Sequence, residues 1–264
     1  MCAITGIVGH VSKGGVRETH DLLSALFVES QTRGVHASGF SAVTSPLDAP
    51  HRRRLITSKA PQAAETFVQT DAAWRALRRI RCCTVIAHAR FSTFSDPAHN
   101  PNNHPFIGRA RGTAFSMIHN GVISQHESVA RRLGVTLATE TDSEIIEKMI
   151  SMTGNIPLGI RRCLSELRGS MAVAVLEHAS GNVWLARDHQ RPLWVARLKD
   201  HRRVVFASTP QIIQKAVENS LGAFNDWVIE LQPLAPGYVY LLQDGRLNSV
   251  FSSAARIEEV AESG

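Results

Sequence analysis

Apolar residues along this chain follow two rhythms. Short apolar or alternating runs at 3–8, 38–43, 55–58, 84–90 and 113–119 predict β-strands. Between them, apolar residues recur at helical spacing. Leu22, Leu23, Ala25, Leu26 and Phe27 share one face of a helix over 17–30, and further helices are expected over about 61–79, 124–133, 142–152 and 158–167. Pro61 suits the first turn of the second helix, and Thr139-Glu140-Thr141-Asp142 offers N-capping side chains to the fourth. After residue 169 strands dominate, at 170–176, 183–187, 193–198, 204–207, 227–231, 238–242 and 247–251, with one helix near 210–217. Ser180-Gly181-Asn182 and Asp200-His201 mark turns, and Asp244-Gly245 marks a two-residue hairpin.

Two segments break the rhythm. Residues 46–54 are polar and turn-like and read as an exposed loop. Residues 91–112 form a long polar stretch holding Pro97, Pro101, Pro105, Asn100, Asn102 and Asn103. A loop of that length inside a compact domain is usually functional. Helices gathered in the middle with strands on both sides favour α+β layers over alternating βαβ units. No apolar run approaches the roughly 18 residues of a membrane span, so no membrane partner is expected.

Composition narrows the class. The 264 residues are 44% hydrophobic and carry a net charge of +6, which excludes disorder as the overall state. The length suits one large domain or two small ones. Of the 29 basic residues 24 are Arg, and apart from Arg52–Arg54 and nearby Arg78, Arg79 and Arg81 they are scattered. That distribution reads as a solvated surface, with no nucleic-acid partner expected. Cys2, Cys82, Cys83 and Cys163 form no C-x-x-C pair, and adjacent cysteines are poor disulfide partners. A reducing compartment follows, and with no signal-peptide pattern a cytoplasmic location is expected. His88, His104 and His119 lack ligand partners at zinc spacing, and Gly6–Gly9 lacks the G-x-G-x-x-G spacing, so neither metal nor cofactor is expected.

Cys2 carries the most chemistry. If Met1 is removed, one residue holds both a thiol and a free α-amine, nucleophile and base together. An unperturbed α-amine has a pKa of about 8 and can accept a proton near neutral pH. The alternative is a chance cysteine after the initiator. Further motifs follow in order: Arg33-Gly34-x-x-x-Ser38-Gly39, His88-Ala-Arg90-Phe-Ser-Thr93, Asn103-His104-Pro105-Phe106, Ile118-His119-Asn120-Gly121 and Thr139-Glu140-Thr141-Asp142-Ser143-Glu144. With the Met-Cys-Ala-Ile-Thr-Gly start, this series resembles the glutaminase domain of the class II glutamine amidotransferases.

The resemblance implies an N-terminal-nucleophile hydrolase fold, a four-layer αββα sandwich of the α+β class. It implies a glutaminase domain over 2–251 and a C-terminal tail over 252–264. It also implies roles. Cys2 attacks the glutamine side-chain amide, giving a thioester and ammonia, and water then releases glutamate. Asn120 and Gly121 form the oxyanion hole. Arg90 grips the substrate α-carboxylate, Thr93 adds a hydrogen bond, and Asp142 pairs with the α-ammonium.

Each residue also admits a plainer reading. Arg90 could be a surface arginine at a strand end, Asn120-Gly121 a hairpin turn, and Asp142 a helix cap. His119 reads as a structural residue fixing the strand end at Asn120, and Cys82, Cys83 and Cys163 as core thiols.

The sequence also departs from the family pattern. His36 stands where Asp is usual, Phe91 and Phe94 stand where Trp and His are common, and Ala3 follows Cys2 where Gly is common. Little sequence remains for a synthase domain, so the expected activity is a glutaminase that passes ammonia to a separate synthase subunit. A γ-glutamyl hydrolase acting on a γ-glutamyl metabolite, and an inactive binding or regulatory module on the same fold, are the alternatives.

Overall fold

The computed structural model describes residues 1–9, 15–44, 53–80, 82–93, 95–200 and 202–252. Its elements run β1 (Ala3–Gly9), α1 (Val16–Ser30), β2 (Ala37–Thr44), β3 (Arg54–Ala60), α2 (Ala64–Thr70), α3 (Ala72–Ala76), β4 (Cys82–Arg90), β5 (Phe106–Ala110) and β6 (Thr113–Ile123). They continue α4 (His126–Leu133), α5 (Glu144–Thr153), α6 (Ile156–Glu166), β7 (Gly169–Glu177), β8 (Val183–Arg187), β9 (Trp194–Leu198), β10 (Arg203–Ala207), α7 (Pro210–Ser220), α8 (Phe224–Trp227), β11 (Val228–Pro233), β12 (Tyr238–Gln243) and β13 (Arg246–Ser252).

The period-2 alternation of the strands builds the layers. On β1, Ala3 and Ile7 enter one apolar cluster while Ile4 and Val8 enter another. On β7, Met171, Val173 and Val175 face one cluster and Ala172, Ala174 and Leu176 the opposite one. Strands apolar on both faces must be covered on both sides. The antiparallel strands form two sheets, ordered β11-β9-β10-β1-β4-β2-β3 and β13-β12-β8-β7-β6-β5. One core lies between the first sheet and α1, α2, α3 and α7, another between the second sheet and α4, α5 and α6, and the third between the sheets. This is the expected αββα sandwich. Among the described residues no helix is long and apolar enough to cross a membrane.

Several expectations need correction. The helix read over 61–79 is two short helices and a 3-10 turn over Leu77–Arg79. Asp71 breaks it with an extended backbone, and its carboxylate accepts from Trp74 N at 2.7 Å to cap α3. The other carboxylate oxygen accepts from Ser58 Oγ at 2.7 Å, so the break ties the helices to β3. The stretch at 91–112 is not one loop. It contains β5, which pairs with β6 from Phe106↔Met117 to Ala110↔Thr113. Asn120 and Gly121 lie inside β6, paired with Ala172 and Met171, so they are not a hairpin turn. Asp244 and Gly245 do turn the β12–β13 hairpin, at φ 49° and 72°. Most of the loop expected at 46–54, together with Phe94 and residues 253–264 of the tail, lies outside the described residues.

Candidate active site

The ends of β1, β4 and β6 meet where the two sheets face each other. Ala3 pairs with Ala89, which sets Cys2 beside Arg90 and Phe91. The Cys2 thiol donates to Phe91 O at 3.5 Å, and Phe91 N–H donates back to Sγ at 3.4 Å. Arg33 Nε donates to the Cys2 carbonyl at 3.0 Å. The next residue, Gly34, lies against the Arg90–Phe91 peptide, where a Cβ would come within 2.4 Å of the Arg90 carbonyl carbon. Burial pushes the Cys2 thiol above its ordinary range, against the opposing pull of Phe91 N–H, the N-terminal amine and Arg90. The amine moves the other way: at Met1, burial lowers it and Arg33 and Arg191 reinforce the shift, against Cys2.

Cys2, Arg90, Thr93, Asn120, Gly121 and Asp142 all line one cleft of about 240 Å³. Arg90 is no surface arginine. It is 3% exposed, with Nη1 donating to Asn103 Oδ1 at 2.6 Å and Nη2 held by Ser95 through its carbonyl and hydroxyl. Thr93 is exposed at the mouth. Asp142 is 4% exposed and does not cap α5, whose N-cap residue Ser143 makes no side-chain cap bond. Its Oδ2 accepts from Ile123 N at 2.5 Å, tying the carboxylate to the end of β6.

Asn120 is buried, its Nδ2 donating to Ser208 Oγ at 3.3 Å and its Oδ1 without a hydrogen-bond partner. At Gly121 a Cβ would sit 1.9 Å from Ser170 O and 2.4 Å from His119 Nε2, so only glycine permits this approach of β6 to β7. His119 holds the same strand end, meeting Ser143 Oγ at 2.8 Å and Ser170 O at 3.3 Å.

A second ring of side chains, which sequence patterns did not single out, fixes the first. Ser208 Oγ accepts from Ile4 N at 2.9 Å as well as from Asn120, linking the strand that follows Cys2 to the amide. Glu144 accepts from Ala138 N at 2.9 Å and from Thr139 N at 2.7 Å, anchoring the chain that leads into Asp142. Those bonds, helped by Lys148, outweigh burial and hold its carboxyl below the usual range. Isolated serines and a glutamate give no periodic or motif signal, although Glu144 closes a motif already noted.

The rings of His88 and His104 lie tilted at 33° with centroids 4.0 Å apart, and burial keeps both neutral, His88 falling to about 3. Among the described residues no three His, Cys, Asp or Glu side chains cluster to hold a metal. A larger cavity of about 570 Å³ opens beside Arg197, Glu230 and Arg246, away from the thiol, and its lining includes no nucleophile.

The departures at His36 and Phe91 meet in space. His36 Nδ1 accepts from Ser92 N at 3.0 Å, and its ring stacks on Phe91 at 4.7 Å and 28°. The imidazole thereby supports the peptide that contacts the thiol.

Comparison with known proteins gives consistent results. Residues 88–215 match the family described as glutamine amidotransferase domain. The chain is 25% identical over 259 residues to the glutamine–fructose-6-phosphate aminotransferase (isomerizing) of Chlamydia pneumoniae, covering 96% of this chain and 37% of that protein. It is 27% identical over 206 residues to the Pectobacterium atrosepticum protein of the same name, covering 75% and 30%. The chain thus spans about a third of the length of the curated relatives it matches.

Among solved structures, the glutamine phosphoribosylpyrophosphate amidotransferase from B. subtilis superposes with a TM-score of 0.69 at 21% identity, over 97% of this chain and 50% of that one. A glutamine aminotransferase class-II domain protein from Silicibacter pomeroyi superposes at 0.50 and 12% identity, over 94% and 98%. At these identities the structural likeness establishes the fold.

Proposed function

We propose, for a chain that carries a glutamine amidotransferase domain similar to the class II type, that it hydrolyses glutamine through a thioester on Cys2 and passes the ammonia to a separate synthase subunit. The active domain is 2–251. One observation carries the reading. A thiol, a guanidinium, a carboxylate and an amide–glycine pair line the same small cleft.

Removal of Met1 frees the α-amine of Cys2. That amine takes the thiol proton as Sγ attacks the γ-carboxamide carbon, and the C–N bond then breaks as the proton passes to the departing nitrogen. Ammonia leaves, water attacks the thioester, and glutamate is released. The raised thiol suits this division of labour, because it keeps its proton at rest until the amine takes it.

The Asn120 side-chain amide and the Gly121 N–H meet the oxyanion, and losing one such donor typically costs ~10²–10³ in rate. Arg90 holds the substrate α-carboxylate with the guanidinium donors that Asn103 and Ser95 leave free. Thr93 adds a hydrogen bond at the mouth, and Asp142 pairs with the α-ammonium through its buried carboxylate. A fixed cation and anion select a free amino acid over a peptide.

The test is glutamate release from glutamine by the purified chain, with intact mass and labelling by 6-diazo-5-oxo-norleucine. The active species should lack Met1, carry the label on Cys2 alone, and lose activity in Cys2→Ala. Cys163 should stay unlabelled, since it is fully buried and burial pushes its thiol far up. Full activity with Met1 retained, or label spread over several thiols, would overturn the mechanism. A preference of more than about tenfold for a γ-glutamyl amide over glutamine, roughly 1.4 kcal/mol of transition-state binding, would replace it with γ-glutamyl hydrolysis.

A further inference from the structure

Lys59, near the end of β3, has no role in the chemistry above. Its Nζ reaches a single short segment of chain. It donates to the carbonyl oxygens of Asn103 at 2.6 Å, Pro101 at 3.3 Å and Pro105 at 3.4 Å. It also lies 5.4 Å over the Phe106 ring. Asn100 Nδ2 returns a bond to the Lys59 carbonyl at 2.8 Å. A protonated amine has a donor for each of the three carbonyls.

The segment it gathers holds the side chain at one end of the proposed substrate clamp and the stretch of chain leading into the other. Asn103 Oδ1 accepts from Arg90 Nη1 at 2.6 Å. One residue earlier, Asn102 faces the other way: its carbonyl accepts from Thr141 Oγ1 at 2.9 Å, its Nδ2 donates to Glu140 Oε2 at 3.0 Å, and its Oδ1 accepts from Glu140 N at 3.1 Å. Thr141 leads directly into Asp142. One turn therefore sits between the guanidinium and the carboxylate of the cleft, and Lys59 fastens it.

We infer that Lys59 is a positioning residue for the amino-acid substrate: its ammonium fixes the Asn100–Asn103 turn and through it the separation of Arg90 from Asp142. The inference rests on reading that pair as the substrate clamp.

The charge state of Lys59 makes the idea testable. Burial, with Arg90 adding to it, brings Lys59 down to about 8. Arg90 and His104 are the titratable groups whose charge reaches it, and burial keeps His104 neutral. Deprotonation removes one donor and the charge assistance of the others, so the turn loosens as pH rises through about 8. Global stability follows the opposite sign. Between about 8 and the ordinary 10.5 the unfolded chain binds the extra proton, so linkage at this group does not weaken folding as pH rises there. Loss of affinity without loss of stability separates a positioning role from a merely structural one.

The experiment is calorimetric binding of L-glutamine to the full chain carrying Cys2→Ala, alone and combined with Lys59→Met or Lys59→Arg, across pH about 7 to 9. Lys59→Met should weaken binding by about tenfold or more at the lower pH, equivalent to roughly 1.4 kcal/mol, while the melting temperature stays close to the parent's. The parent should lose more affinity toward the upper pH than Lys59→Arg, whose guanidinium stays charged. Unchanged binding in Lys59→Met, or identical pH profiles for the parent and Lys59→Arg, would overturn the inference. If the parent binds no glutamine, the clamp reading itself fails. Hydrogen exchange then decides the remaining claim: faster exchange confined to 97–105 in Lys59→Met supports the fastening, and unchanged exchange refutes it.

Discussion

Replacing Asn120 with alanine isolates the proposed oxyanion donor from the rest of the cleft. The side chain is 1% exposed and holds one neutral bond, at 3.3 Å to Ser208 Oγ, while its Oδ1 has no hydrogen-bond partner. Ser208 retains Ile4 N at 2.9 Å without it, so the strand carrying Cys2 stays held. The stability lost should be that of one ordinary hydrogen bond, about 0.5–1.5 kcal/mol, or a few degrees in melting temperature at roughly 2–4 °C per kcal/mol.

The rate should respond far more. An oxyanion exists only near the transition state, so kcat should fall by ~10²–10³, equivalent to about 2.7–4 kcal/mol, with KM within about threefold of the parent. Asn120→Asp should fall at least as far, since it sets a negative charge where a donor is needed. Steady-state glutamate release, read beside thermal melting of the same preparations, checks both numbers. A kcat loss below about tenfold, or a KM rise as large as the kcat loss, would refute the assignment.

Two further outcomes follow from the same cleft. Arg90→Ala and Asp142→Ala should raise KM for glutamine by roughly ten- to a hundredfold, the range of a hydrogen bond to a charged group, and Arg90→Lys should not restore it, because a point charge cannot keep Asn103 and Ser95 while presenting a fork to a carboxylate; a kcat effect with KM unmoved would reverse the assignment. Arg33 bonds the Cys2 carbonyl and Arg191 lines the same cleft, so both cations disfavour protonation of an amine freed at Cys2; the acidic limb of kcat/KM should move upward in Arg191→Met, and a limb that stays in place would show that the amine is not the titrating base.

Strand runs were the most legible part of the fold. Val183–Arg187 sits where alternation put it, and β7 extends its expected run by one residue at each end. Such runs are local, because side chains alternating between two cores must alternate in sequence. The misread segments depended on pairing with neighbours just outside them. Within 61–79 Asp71 can cap the residues that follow it, as it does for Trp74 N, but the bond from Ser58 that reinforces the break comes from outside the segment. The prolines and asparagines of 91–112 conceal a strand because β5 is a short strand that, among the described residues, pairs only with β6 at the edge of its sheet. The site was legible as residue types in order, and their gathering into one cleft depends on the pairing of β1 with β4 and on the packing of one sheet over the other.

His36 and Phe91 show why single departures from a motif are poor guides to loss. Taken separately, an imidazole in place of a carboxylate removes a charged acceptor, and a phenyl ring in place of an indole removes a donor and part of a flat surface. Taken together they make one unit. The His36 ring nitrogen accepts from Ser92 N, and the face of the same ring lies against Phe91. What the cleft requires at this point is a fixed Phe91–Ser92 backbone, since Phe91 N and O are the groups that contact the thiol. An acceptor and a flat surface meet that requirement whether they come from one pair of side chains or another. The two substitutions therefore keep the backbone around the Cys2 thiol held, which is what the proposed nucleophile needs.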